Sequence, residues 1–289
     1  MKIRKMNDYL PRLTAAVNRE ILKGIEPQNG TLEAAMHYAM TVNGKRLRPL
    51  LFLALLDAFH KDSEKFIGLA SALEIIHTYS LIHDDLPVMD NDDLRRGLPT
   101  VHKKFNEAIA LLAGDTLLTF AFEKIAAAPL PAEKTIAIIT IITRSIGKEG
   151  MAQGQALDLE FRGDAQAIAT IHRLKTAELI KGSLLAAAQV IDLNAAEQRL
   201  LERAGIAMGL GFQLTDDLLD ISGDEKKVGK KLNKDQFNQS PNAVLYLGLP
   251  AVKAKIDEYY LEALALIREL KIDFSPFLCL LENMFYRSQ

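Results

Sequence analysis

The sequence predicts an all-α protein. Three observations carry that expectation: apolar residues recur at three- and four-residue spacing through most of the chain, no comparable alternating pattern appears, and the breaks fall where helix punctuation places them. Across 289 residues no stretch is long or polar enough to read as a linker, so one large domain over 1–289 is expected.

Helical spacing runs through segments near 4–23, 31–42, 47–60, 64–83, 103–127, 132–148, 166–191, 195–220, 250–270 and 274–287. They are separated by Pro27 to Gly30, Gly44, Pro129 and Pro131, Gly163-Asp164, and a lysine-rich stretch from Ser222 to Pro241. That last stretch, 222–241, lacks apolar periodicity and directly follows an aspartate cluster, which predicts a mobile lid loop. No repeat or low-complexity tract is present.

Hydrophobic residues make up 49% of the chain, ample for a buried core, and the formal charge of −2 offers no bulk attraction to nucleic acid. Any anion site must be local. Cys279 is the single cysteine, and the start of the chain has no uninterrupted apolar core, so a cytoplasmic protein is expected. The apolar runs Leu50 to Leu56 and Ile136 to Ile142 fall short of the roughly 20 residues that cross a bilayer, so no membrane span is expected.

The residues from Asp84 to Asp93, DDLPVMDNDD, put five carboxylates at the end of an apolar helix. Two like charges about 4 Å apart repel by roughly 1 kcal/mol in water and about 4 kcal/mol near a protein surface, so the crowding calls for counter-charge. One such cluster reads equally well as a solvated acidic helix end balanced by Arg95 and Arg96. The second, in GFQLTDDLLD, shifts the balance: Asp216 and Asp220 share one face of a helix, with Asp217 about 100° around it. Mg²⁺ takes a few carboxylates together with water and phosphate oxygens, and is favoured over Ca²⁺ or Mn²⁺.

Basic groups complete the pattern. In GKRLRP, Lys45, Arg46 and Arg48 crowd a helix N-terminus against the macrodipole, an arrangement suited to a bound phosphate. The alternative is a basic surface turn. His77, two helical turns before Asp84, falls on nearly the same face, although a histidine in an apolar helix also fits a hydrogen-bonded core role, and His83 more so. Lys175 and Thr176 interrupt the apolar helix HRLKTAELIKGSLLAAA, where a lysine needs either an anion or a route to solvent. Lys230, Lys231 and Lys234 lie in the lysine-rich loop, whose charge is equally that of a solvated loop.

GKRLRP, HTYSLIHDDLPVMDNDDLRRGLPTVHK, GDTLLTFAF, GQALDLE, HRLKT and GFQLTDDLLD occur in the order seen in the trans-polyprenyl diphosphate synthases. Over nearly its whole length the chain resembles that family, most closely the bacterial farnesyl diphosphate synthase type. The resemblance implies antiparallel helices around a deep central cavity, usually in a homodimer. It also implies Mg²⁺, three ions per site with Mn²⁺ as an alternative, held by Asp84, Asp90 and Asp216, with Asp85, Asp217 and Asp220 supporting them directly or through water.

By the same resemblance, Lys45, Arg48, His77 and Arg96 hold isopentenyl diphosphate, and Arg95, Lys175, Thr176, Gln213 and Lys230 surround the allylic diphosphate. The implied reaction is ionisation of the allylic substrate, attack by the isopentenyl double bond and loss of a proton, for which released diphosphate is the expected base. The metals and cations of the site stabilise the departing charge.

Two departures stand out. Where the family carries a lysine followed by Thr-Tyr, this chain has Gln239-Ser240-Pro241-Asn242, and Asn233 replaces a common glycine. Gln153 also takes a position that is often glycine. Tyr79, five residues before Asp84, and the adjoining Ser80 occupy the region where the family sets product length, and a large ring there implies the fifteen-carbon farnesyl product. A geranylgeranyl diphosphate synthase, a non-catalytic prenyl synthase subunit and a class I terpene cyclase are the competing readings. Subunits of that kind lose an aspartate motif, and cyclases carry a different second motif and need no second diphosphate site.

Overall fold

The computed structural model describes residues 8–42, 44–222, 241–273 and 275–286. Lys230, Lys231, Lys234, Asn233, Gln239 and Ser240, and with them nearly all of the expected lid, lie outside the described residues. The described chain is almost entirely helical. It forms two compact units, one of residues 1–53 and 62–135, the other of 54–61 and 136–289.

The first unit is organised on α4 (Ile67–Asp84) and α6 (Glu107–Ala126), which pack together, with α1 (Tyr9–Ile21) and α2 (Thr31–Thr41) added to them. Leu69, Leu73, Ile75 and Ile76 of α4, and Leu117, Ala121 and Ile125 of α6, are essentially inaccessible. Each such leucine or isoleucine contributes about 1.5–3 kcal/mol by leaving water. The helix through Ser63–Asp84 is long and apolar enough to cross a membrane by length and composition alone, but more than half of it is buried against protein. It is a core helix that delivers an acidic cluster at its end.

α3 (Leu47–Ala58) begins at GKRLRP. Arg46, just before it, adopts a left-handed backbone (φ 49°) and is buried. Its guanidinium is consumed internally: Nη1 meets Glu74 Oε1 at 3.0 Å, Nε donates to Asn18 Oδ1 at 2.8 Å, and Nη2 donates to the Met40 and Val42 carbonyls. One of the three basic residues of GKRLRP is therefore a structural tie.

The sequence pattern missed a hairpin after the first aspartate cluster, β1 (Leu94–Arg95) paired antiparallel with β2 (Leu98–Pro99). Arg96 (φ 53°) and Gly97 (φ 79°) form its two-residue turn, both positive as the twist of paired strands prefers. The expected 103–127 helix is divided into α5 (Val101–Lys104) and α6, because Asn106 caps α6 by accepting from the Ile109 amide at 2.8 Å.

In the second unit, α11 (Ala195–Ser222) is the central helix, packed on α10 (Glu178–Ile191), α13 (Leu249–Glu269) and α14 (Ser275–Phe285). Asn194 and Glu197 form a reciprocal cap at its start: Asn194 Oδ1 accepts from the Ala196 and Glu197 amides, and Glu197 accepts from the Asn194 amide. α7 (Ala132–Ile146) precedes α8 (Met151–Leu159), which sequence periodicity did not reveal: it is nine residues long and carries Gly154 at its centre.

The expected 166–191 helix is α9 (Ala165–His172), then a π-turn over Arg173–Ala177, then α10. One extra residue in the turn shifts register without interrupting the apolar spacing, and such turns concentrate at functional sites. Gly154 makes room for it, since a β-carbon there would overlap the Lys175 backbone.

Candidate active site

The first unit brings most of the predicted groups together. α4 ends at Asp84, and the chain turns back so that the Asp90 amide donates to the Asp84 carbonyl at 2.8 Å and the Asp92 amide to the Asp85 carbonyl at 3.2 Å. Asn91 at φ 51° closes the turn. Asp84 and Asp90, spaced by two inserted residues relative to a plain DDxxD, are thereby adjacent and both half-exposed. Asp85 is different: it is buried, and Arg95 holds it through Nε at 2.7 Å and Nη2 at 2.6 Å. Arg95 also reaches Asp92 at 3.4 Å, and Lys103 pairs with Asp93 at 2.8 Å. Asp85 and Arg95 thus pair with one another within the cluster, beside the carboxylates expected to hold metal.

The hairpin also directs Arg96. Its guanidinium lies on Gly44, where a β-carbon would overlap it, so the loop that opens α3 and the hairpin turn converge. Arg48 is buried at the first turn of α3, and Lys45 is exposed beside it. His77, half-buried on α4, senses this convergence. Burial first, then the charges of Arg48, Arg96, Arg95 and Arg46, push its imidazole well below the ordinary value of 6.5. The same crowding, with burial leading, lowers Arg96 despite the opposing pull of Glu74. Arginine charge gathered around a half-buried imidazole is a field that favours anions, of the kind a diphosphate group would offset.

A sign follows for pH. Depression of the His77 pKa means that the free protein keeps His77 neutral to lower pH than an ordinary imidazole, and inorganic pyrophosphate, by offsetting the arginine charge, is expected to raise the value. Imidazole proton shifts followed by NMR with and without pyrophosphate check this. A His77 that titrates near 6.5 in the free protein would contradict it.

Above Asp84 on the same helix, Tyr79 is half-buried, and burial followed by the Asp84 charge pushes its phenol up to about 12. Its ring meets the His83 ring edge-on at 5.8 Å. His83 in turn hydrogen-bonds the Leu111 carbonyl at 3.0 Å and lies over Gly114 of α6. Ser80 donates to the His77 carbonyl at 2.9 Å, so its hydroxyl is occupied within the helix.

The second unit holds the other predicted groups. Lys175 and Thr176 lie in the π-turn, and Gln213, Asp216, Asp217 and Asp220 on α11. Lys175 is ion-paired with Asp158 of α8 at 2.5 Å, so the lysine that the sequence left between an anion and a rim position has a partner inside the protein. Thr176 donates to Gln213 Oε1 at 2.8 Å, and Gln213 Nε2 donates to Asp217 Oδ1 at 3.0 Å. Asp216 is half-exposed, and Asp217 and Asp220 are buried. Sequence reasoning missed Asp158, His172 and Asn242. Asp158 and His172 lie in the GQALDLE and HRLKT motifs, whose sequence gives neither a role, and Asn242 shows in the sequence only as a departure from the family pattern.

The arrangement fits a hard divalent cation with phosphate ligands. Among the described residues no three carboxylate, histidine or cysteine side chains converge into a closed cage. Half-exposed Asp84, Asp90 and Asp216 instead offer one or two oxygen donors at a time, the form in which Mg²⁺ is held together with substrate phosphates.

A family model described as polyprenyl synthetase matches residues 29–268. The chain belongs to the polyprenyl synthetase family. Among curated members, it is 41% identical over 266 residues to the farnesyl diphosphate synthase of Geobacillus stearothermophilus, covering 89% of each chain. It is 38% identical to the chloroplastic geranylgeranyl pyrophosphate synthase of Capsicum annuum, covering 88% of this polyprenyl synthetase and 71% of the relative. A crystal structure of a geranyltransferase from Helicobacter pylori, complexed with magnesium and isoprenyl diphosphate, superposes with a TM-score of 0.84 at 33% identity, covering 96% of this chain and 98% of that one. The all-α architecture of this polyprenyl synthetase is thus that of solved prenyl-transferring enzymes.

Proposed function

We propose that this polyprenyl synthetase is a farnesyl diphosphate synthase that condenses isopentenyl diphosphate with dimethylallyl and geranyl diphosphate. The observation that carries the reading is the pairing of chemistries within one chain: half-exposed carboxylates at Asp84, Asp90 and Asp216, and an arginine-rich anion pocket around His77. A prenyl synthase needs both, one set for the leaving diphosphate and one for the second substrate.

In this reading Asp84, Asp90 and Asp216 hold Mg²⁺, three ions per site, with Asp220 as a supporting carboxylate. When bound, Mg²⁺ supplies Lewis-acid stabilisation of the departing diphosphate. Lys45, Arg48, Arg96 and His77 bind the isopentenyl diphosphate and orient its double bond. Lys175, kept in place by Asp158, adds positive charge for the allylic diphosphate, and Thr176 and Gln213 line the same position. Tyr79 limits the allylic tail, which favours farnesyl over geranylgeranyl diphosphate as the product. Both aspartate motifs are retained, which disfavours a non-catalytic subunit.

Incubation of the purified protein with isopentenyl and dimethylallyl diphosphates, with Mg²⁺ or with EDTA, tests the reading. Farnesyl diphosphate formed only with Mg²⁺ is expected. Absence of any prenyl product, or a cyclic hydrocarbon, would sink it.

A homodimer and a cytoplasmic location belong to the same proposal. Leu111 and Leu112, adjacent on α6, are 48% and 50% exposed, and apolar neighbours of that kind fit a face covered by a second copy. Light scattering of purified protein is expected to return twice the 32.0 kDa chain mass. A single-chain mass at micromolar concentration would contradict the dimer.

A further inference from the structure

We propose that Asp217 is a positioning residue rather than a metal ligand: its buried carboxylate ties the second aspartate motif to the π-turn that carries Lys175 and Thr176 and to the Pro241-Asn242-Ala243 corner. This inference rests on the Mg²⁺-dependent reaction proposed above.

Neighbouring aspartates 216 and 217 look alike in sequence, but their surroundings differ. Asp216 is half-exposed; Asp217 is 3% exposed and engaged by protein donors on both oxygens. Gln213 Nε2 donates to Oδ1 at 3.0 Å, and the Ala243 amide donates to Oδ2 at 2.7 Å. His172 Nε2 stands 3.5 Å from the same Oδ2 and hydrogen-bonds the Pro241 carbonyl at 3.0 Å. A carbonyl only accepts, so that nitrogen carries the proton.

Asn242, 1% exposed, secures the corner from the other side. Its Nδ2 donates to the Asp217 carbonyl at 3.1 Å, and its Oδ1 accepts from the Val244 amide at 2.9 Å, capping α12 (Ala243–Leu247). Through Gln213, Asp217 also reaches Thr176 at the π-turn. Three separate stretches of the second unit thus meet on one carboxylate. Asn242 is among the residues by which this chain departs from the family pattern, and the structure assigns it to this junction.

The hydrogen-bond chemistry makes a discriminating prediction. In Asp217→Asn the introduced amide can keep its oxygen toward Ala243 N–H and offer its nitrogen to Gln213. Gln213 then turns its own amide over, accepting from the introduced group and donating to the Thr176 hydroxyl, which can accept. The contacts of this position with Ala243 and Gln213 are kept, at the cost of the acceptor that the Thr176 hydroxyl proton now uses. A metal ligand has no such escape, because the substitution removes its charge.

Calorimetric binding of magnesium pyrophosphate, together with steady-state kinetics, tests the assignment. Asp217→Asn is expected to bind magnesium pyrophosphate within about threefold of wild type, whereas Asp216→Asn loses about tenfold or more. Asp217→Ala and Asn242→Ala are expected to lower kcat by about 10- to 100-fold, with Asp217→Asn recovering most of the loss. Thermal melts of each variant identify any that fails to fold, and Asn242→Ala leaves every carboxylate in place. Asp217→Asn weakening magnesium pyrophosphate binding as severely as Asp216→Asn would overturn the inference alone. Wild-type protein that does not bind magnesium pyrophosphate would instead overturn the proposed function on which it rests.

Discussion

Asp84→Ala and, separately, Asp216→Ala are each expected to lower kcat by about a thousandfold or more. Lewis-acid stabilisation of a departing diphosphate is worth several kcal/mol, and each 1.36 kcal/mol is about a factor of ten in rate. Both side chains are half-exposed, so their removal opens no core cavity, and the thermal midpoint should move by no more than a few degrees. Steady-state turnover together with far-UV circular dichroism makes the check. A variant that folds and retains more than about a tenth of wild-type kcat would remove its residue from the metal-holding set.

Tyr79→Ala is expected to convert the major product from farnesyl diphosphate to chains one or more isoprene units longer. The substitution removes the phenol, seven non-hydrogen atoms, where one further isoprene unit adds five. The ring is fixed rather than floating: it stands edge-on to His83, which is itself bonded to the Leu111 carbonyl and lies over Gly114. Its removal therefore leaves a space that the helix cannot readily close. The first condensation should survive within a few-fold, since the aspartates and the arginine pocket are untouched. Reversed-phase sizing of the dephosphorylated products decides the matter, and an unchanged product profile would sink the assignment of Tyr79 as the floor.

The two aspartate motifs were legible in the sequence because their physical cost is visible there: like charges packed at the ends of apolar helices require compensation. The arginine pocket was partly legible. Arg48, Arg96 and His77 do share one field, but Arg46 proved to be a buried tie to Glu74 and Asn18. Nothing in GKRLRP distinguishes Arg46 from Arg48, because the distinction lies in contacts with Glu74 and Asn18, far along the chain.

Other features depended on contacts that composition and spacing do not encode. Asp158, the partner of Lys175, is seventeen positions away on a nine-residue helix that the periodicity passed over. The π-turn preserves apolar spacing, so 166–191 read as a single helix. The hairpin at 94–99 is two residues per strand with Arg-Gly at its turn, too short for an alternating pattern. Which carboxylate of an Asp-Asp pair is buried among protein donors and which stays half-exposed was also invisible. At Asp84-Asp85 and again at Asp216-Asp217, the second residue of the pair is the buried one.

The stoichiometry of a single turnover sequence tests the central claim most directly. With geranyl diphosphate, radiolabelled isopentenyl diphosphate and Mg²⁺, the account predicts one isopentenyl unit consumed and one diphosphate released per starter. Fifteen-carbon farnesyl diphosphate should accumulate, and none should form with EDTA. Diphosphate release without isopentenyl consumption, or condensation that proceeds equally well without a divalent cation, would contradict it.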